Sequence, residues 1–205
     1  MAKNIVEKSR ERYLEYEQRH QKILDAAVKI FNAKGYTAAT TAEIAREAGI
    51  FEPTMYKHFK NKKKLFLACF RSITEELLSS YRKVYKNSLD DEIGYLRGVI
   101  KIYFDFVKEN PHKSMFLVHL LSYRNDPDFE NIFKDFMDRC IEGVRRVLVS
   151  AKKKGILKSD VDAHILAGMF VNQCFSVVSL KEFIEPEYFT SELFFRLMRD
   201  MLVFE

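Results

Sequence analysis

Apolar side chains recur along this chain at intervals of three and four residues, the period of a helix with one buried face. Between Gln18 and Lys34 the stripe is Ile23, Ala26, Ala27, Ile30 and Phe31, which predicts an amphipathic helix closed by Gly35. Thr40 and Glu43 then stand three apart ahead of Ile44, Ala45 and Ala48, the spacing of a capping box and the face behind it. Gly49 ends that short helix where positive φ is needed. Pro53 opens the next, since its missing N–H is not required in a first turn. Met55 and Phe59, four apart, turn inward. Asn61 caps a fourth helix carrying Leu65, Phe66, Phe70, Ile73, Leu77 and Leu78 to about Lys86. From Asp90 onward the pattern predicts helices over Asp91–Glu109, His112–Arg124, Asp128–Lys154, Asp160–Phe183 and Glu187–Phe204. The breaks fall at Asn110-Pro111, Asn125-Asp126-Pro127, Gly155 and Glu185-Pro186. Strand alternation and internal repeats are absent, so the expected fold is all-α, a three-helix N-terminal domain (1–64) ahead of a C-terminal helical bundle (65–205). Met1 to Gln18 either extends the first helix backwards or forms a loose arm of mixed charge.

Charge sharpens this division. The chain has 205 residues and a net charge of +5, but residues 1–64 hold 14 Lys and Arg against 8 Asp and Glu, and the rest hold 20 against 21. The positive excess therefore sits with the short helices, where a polyanion would need it. No run of 18 apolar residues predicts a membrane span, and MAKNIVEKSRER lacks the apolar segment of a secretory signal. Cys69, Cys140 and Cys174 are far apart and form no CxxC pair, which fits a reducing cytoplasm and no metal or disulfide framework.

Two short helices meeting at a glycine turn form the helix-turn-helix pattern, in which Ala45 permits close approach and Ile50 and Met55 fill the angle. A helical hairpin with no DNA role has the same spacing. The wording of the segment goes further. Lys34-Gly35-Tyr36, Thr40-Thr41, Ile44-Ala45, Ala48-Gly49-Ile50, Tyr56-Lys57-His58-Phe59 and Lys62 to Leu65 resemble the DNA-binding segment of the TetR family of bacterial transcriptional regulators, over roughly Gln21 to Phe70. Two positions depart from the common form of that pattern: Phe51 stands where Ser is frequent and Pro53 where Gly is. Phe51 cannot cap the second helix of the motif, which leaves Glu52 as a poorer cap or as a reader of a cytosine amino group.

The resemblance implies a homodimeric regulator that binds a double-stranded DNA operator and responds to a hydrophobic small-molecule effector, with no cofactor. Thr41, Tyr56, His58 and Lys62, with Thr40 beside them, are then expected at phosphates. Glu52, Pro53, Thr54 and Lys57 are expected at base edges, and Phe51 at a thymine methyl. An effector pocket in the bundle is expected among Phe104, Met115, Phe116, His119, Tyr123, Phe133, Met137, Phe170 and Cys174. His119 and Tyr123 share a helix face on this reading, and Asn172 and Gln173 sit mid-bundle. Phe175, Val178, Phe194, Phe195 and Met198, on the last two helices, exceed what one small monomer is expected to bury and are assigned to a dimer interface. A helical carrier of a hydrophobic molecule docking on anionic membranes is the competing reading. No nucleophile triad, phosphate-cradling glycine loop or metal spacing suggests an enzyme.

Overall fold

The computed structural model describes residues 2–88, 90–123, 125–157, 160–181, 183–185 and 187–202. All its regular elements are helical: α1 (Ala2–Ala38), α2 (Thr41–Glu47), α3 (Glu52–His58), α4 (Lys62–Asn87), α5 (Glu92–Glu109), α6 (Pro111–His119), a 3-10 turn (Leu120–Tyr123), α7 (Pro127–Lys153), α8 (Ala163–Leu180) and α9 (Ser191–Leu202). They form two compact units, residues 1–72 and 73–205, and α4 contributes to both.

In the first unit α1, α2, α3 and the start of α4 close over Ile23, Ala27, Phe31, Ile44, Met55 and Phe66, all at most 1% exposed. Phe31 and Phe66 meet edge to face at 4.9 Å, and Tyr36 meets Phe66 at 5.1 Å. The backbone of α1 breaks at Gly35, at φ 74 and ψ 166, as expected of the glycine that closes its periodic stripe. The N-terminal stretch is helical from Ala2, so it extends α1 and is not a loose arm.

In the second unit α5 is buried on most of its circumference, through Tyr95, Leu96, Val99, Ile100, Tyr103, Phe104 and Val107. It packs against α6, α7, α8 and α9. Several expected helix ends move for local reasons. Asp162 accepts from the His164 N–H at 2.7 Å, so α8 begins at Ala163 instead of Asp160. Thr190 Oγ1 accepts from the Leu193 N–H at 3.2 Å, and α9 begins at Ser191 instead of Glu187. The expected end at Phe204 lies outside the described residues. The helix expected over His112–Arg124 stops at His119 and tightens into the 3-10 turn, so His119 and Tyr123 do not share one α-helical face.

Burial corrects the interface expectation. Val178, Phe195 and Met198 are at most 6% exposed within this unit. Phe194 and Phe175 are half-buried. Phe194 packs on Phe104 at 5.4 Å, and Phe175 lies among Tyr103, Phe133 and Phe136 at 5.9–6.1 Å. The unit does absorb these side chains, because the apolar α8 is covered on most sides by its neighbours. Among the described residues, the large apolar side chains that α8 and α9 leave exposed are instead Ile165, Met169 and Leu197. Asn172 is exposed too, so it is no mid-bundle amide.

Candidate nucleic-acid interface

The motif is held from behind by charge. Thr40 accepts from the Glu43 N–H at 3.2 Å, and the Glu43 carboxylate accepts from the Thr40 N–H at 3.2 Å, completing the capping box of α2. Lys34 on α1 also donates to Glu43, at 2.5 Å, and Lys29 pairs with Glu47 at 3.3 Å. The Lys34 ammonium and the Thr40 N–H hold the Glu43 carboxyl below the usual carboxylate range. Gly49 makes the turn at φ 68, and the Ile50 N–H closes it on the Ala45 carbonyl at 3.0 Å.

Behind the turn, α3 has Met55 and Phe59 buried on its inner side. Its outer side presents Phe51 (85% exposed), Pro53, Tyr56 (48% exposed) and Lys57. Phe51 is the N-cap residue and offers no side-chain bond, as its chemistry requires, with Pro in the first turn. Thr54 is half-buried. Thr41 Oγ1 donates to Glu52 Oε1 at 2.5 Å and lies 3.1 Å from the Tyr56 hydroxyl. These three side chains clasp α2 to α3. The clasp draws the Glu52 carboxylate back from a role as a free base reader.

Like Thr40, Thr41 and Tyr56, the other two residues expected at phosphates have partners inside the unit. Lys62 donates to the Thr37 and Ala39 carbonyl oxygens at 3.1 and 2.9 Å and lies 4.8 Å over the Tyr36 ring. A cation in the first turn of α4 opposes that helix's dipole, but the carbonyls at the C-terminal end of α1 compensate it, so no phosphate is needed to explain it. His58 stacks on Tyr16 at 4.2 Å and lies 5.7 Å from His20, centroid to centroid. Its Nδ1 and that of His20 are buried without a partner among the described residues. Burial first, then His20 and Arg19, pull the His58 pKa below the ordinary histidine value. Lys57, Lys60 and Lys64 are exposed around this face, and the Lys64 N–H takes its cap from Asn61 at 2.9 Å. The supporting stack of Tyr16 and His20 was not anticipated. Its signal is their spacing of four, in a stretch whose polarity hides it.

In the second unit the expected pocket residues do not converge. Phe170 and Cys174 border a small interior space of about 30 Å³ beside Tyr103, Phe136 and Phe175. Phe116 is fully buried and Met115 is 37% exposed. Phe104 packs on Phe189 and Phe194, Tyr123 packs on Phe129, and Phe133 packs on Phe175. Met137 and His119 are half-buried, and neither borders that space. The larger opening, about 650 Å³, is a groove between α4, α5 and α7. Tyr81, Tyr95 and Cys140 border both spaces. Burial pushes Tyr95 and Cys140 up to about 12, so both keep their protons. The residues that make this groove sit four apart on α4 (Tyr81, Tyr85) and on α7 (Glu142, Arg146). They pass for solvated faces in a pattern of hydrophobicity.

A basic helix-turn-helix on an all-α frame defines a DNA-binding protein of transcription regulation. Residues 23–69, which hold the helix-turn-helix, match the family model for bacterial regulatory proteins of the tetR family. It is 30% identical over 128 residues to the HTH-type transcriptional activator FasR of Mycolicibacterium smegmatis, covering 62% of this chain and 58% of that relative's own length. It is 26% identical over 172 residues to the nucleoid occlusion factor SlmA of Vibrio cholerae, covering 83% of this chain and 86% of that one. Among solved structures, a TetR-like transcriptional regulator from a Rhodococcus species superposes with a TM-score of 0.73 at 24% identity, covering 89% and 95% of the two chains. FadR from Bacillus subtilis, solved in complex with stearoyl-CoA, superposes with a TM-score of 0.73 at 17% identity, covering 87% and 96%. At such identities the structures speak to fold alone.

Proposed function

We propose that this chain is a ligand-responsive transcriptional repressor that binds a palindromic operator as a homodimer and is released by a hydrophobic small molecule. The observation that carries the reading is the outward face of α3. Phe51, Pro53, Tyr56 and Lys57 are exposed together on a short helix whose inner side is anchored by Met55 and Phe59. A rigid, uncovered helix of this kind suits insertion into a major groove. Lys57, Lys60 and Lys64 around it suit phosphates, Phe51 a thymine methyl, and Tyr56 a phosphate oxygen. The carrier reading accounts for the second unit but gives no role to this face. Among the described residues no helix is long and apolar enough to cross a membrane.

The groove between α4, α5 and α7 supports an effector site. A fold neighbour solved with stearoyl-CoA supports uptake of a small molecule by this architecture. Because α4 is continuous from Lys62 to Asn87, displacement of its second-unit portion is carried to its first-unit portion. An effector that binds the DNA-free form more tightly then releases DNA, by linkage. The test is a gel-shift titration against palindromic fragments chosen from its own upstream region, with transcription measured in parallel. Sequence-selective binding that lowers transcription is expected. Selective binding that raises transcription makes the chain an activator, as FasR is by name, and absence of selective binding removes the reading.

A further inference from the structure

The groove between α4, α5 and α7 has a charge pattern and an interior polar group that an apolar effector alone does not explain. Arg82, Lys86, Arg139 and Arg146 border it, against Asp138 and Glu142. Arg139 is committed to a carboxylate outside that set, Glu75 at 2.6 Å, which also draws a terminal nitrogen of Arg82 to 3.6 Å. The Glu142 carboxylate is held in a two-bond fork by Arg145, at 2.7 and 2.9 Å. Arg146 reaches it only at 3.6 Å and donates its Nε to the Glu142 carbonyl, which leaves its terminal nitrogens available. Lys86 is in no ion pair among the described residues. At the other end lies Tyr103, 2% exposed, in the small aromatic space that shares Tyr81, Tyr95 and Cys140 with the groove. Its hydroxyl is buried and has no hydrogen-bond partner among the described residues. A buried hydroxyl in an aromatic wall is ordinarily bonded, so this one waits for a group from outside.

We infer that the effector is an amphipath with an anionic head, held by Lys86 and Arg146, and an apolar body bearing a hydrogen-bond acceptor that Tyr103 meets inside. The inference rests on the effector reading above and names its ligand class. The interior space of about 30 Å³ holds no more than one water, so Tyr81 and Tyr95 must part to admit the body. That movement separates α4 from α5 and is the one the release mechanism needs.

Binding is measured by calorimetry with octadecanoate, octadecanol and a set of oxo-octadecanoates differing in carbonyl position. The expected result is at least tenfold weaker binding of octadecanol than of octadecanoate, and a preference for one carbonyl position. The double variant Lys86→Gln/Arg146→Gln, at exposed positions, is expected to lose about tenfold for the acids and nothing for the alcohol. Tyr103→Phe is expected to bind octadecanoate as before and to lose the positional preference. Equal affinity for acid and alcohol, or a flat positional profile in the unaltered protein, overturns the inference. A gel-shift on the same preparations separates the two failures. Operator binding with no anion preference leaves the regulator standing without this ligand class. No operator binding counts against the regulator itself.

Discussion

The ammonium of Lys62 sits between two carbonyl oxygens and a tyrosine ring, and that placement changes what its removal is expected to do. Lys62→Met keeps the apolar stem over Tyr36 and loses the two hydrogen bonds. The expected cost is about 1–2 kcal/mol in urea unfolding, with the salt slope of DNA binding unchanged. Were Lys62 a phosphate contact, the slope would fall by about one while stability held. Tyr56→Phe removes a hydroxyl from the exposed side of the Thr41–Glu52 clasp, and weaker binding to all DNA sequences is expected from fluorescence anisotropy. His58 gives a prediction with a definite sign. Its pKa in the folded protein lies below the ordinary 6.5, so the folded state binds fewer protons than the unfolded chain. The stability it permits is complete above about pH 6.5 and falls as pH drops below that toward the folded value. Thermal unfolding followed by circular dichroism is expected to show a lower midpoint at pH 5.5 than at 7.5. His58→Phe, which keeps the stack on Tyr16, is expected to narrow that difference.

At the level of elements, the turn between α2 and α3 depends on Gly49 at φ 68, with open space where a Cβ would stand. Gly49→Ala therefore meets no clash and carries only the left-handed backbone cost. About 1–2 kcal/mol of destabilisation is expected in urea unfolding. This element was legible in the sequence because its signals are local: a cap three residues from its partner, a glycine, a proline and two inward apolar residues. The helices of the second unit were legible too, from their period. Their ends were not where capping side chains lie outside the apolar stripe, as Asp162 and Thr190 do. The cavity was the least legible part. Large apolar residues such as Phe104 and Phe116 look alike whether they fill a core or line a space, and here they fill the core. The groove is made by tyrosines and cations on three helices far apart in sequence. Only their meeting in space shows that they belong together. The same limit misled the interface assignment, since Val178 and Phe195 differ from Ile165 and Leu197 in what covers them and not in composition.

For the whole molecule, selective operator binding requires two copies, because one α3 reads too few base pairs to be selective. Ile165 and Met169, four apart on α8, and Leu197 on α9 are, among the described residues, the large apolar side chains these helices leave exposed, and we propose that a second copy docks there. Met169→Glu with Leu197→Glu is expected to give monomers in sedimentation and to weaken operator binding by about two orders of magnitude, since the second half-site then binds independently. The most direct test of the central claim is a hydroxyl-radical footprint of the unaltered protein on its selected fragment. Two protected patches on one face of the duplex, about 34–36 Å apart and both lost in Phe51→Ala/Lys57→Ala, are expected. A single patch, or two patches unaffected by that substitution, would contradict the assignment of α3 as the reader.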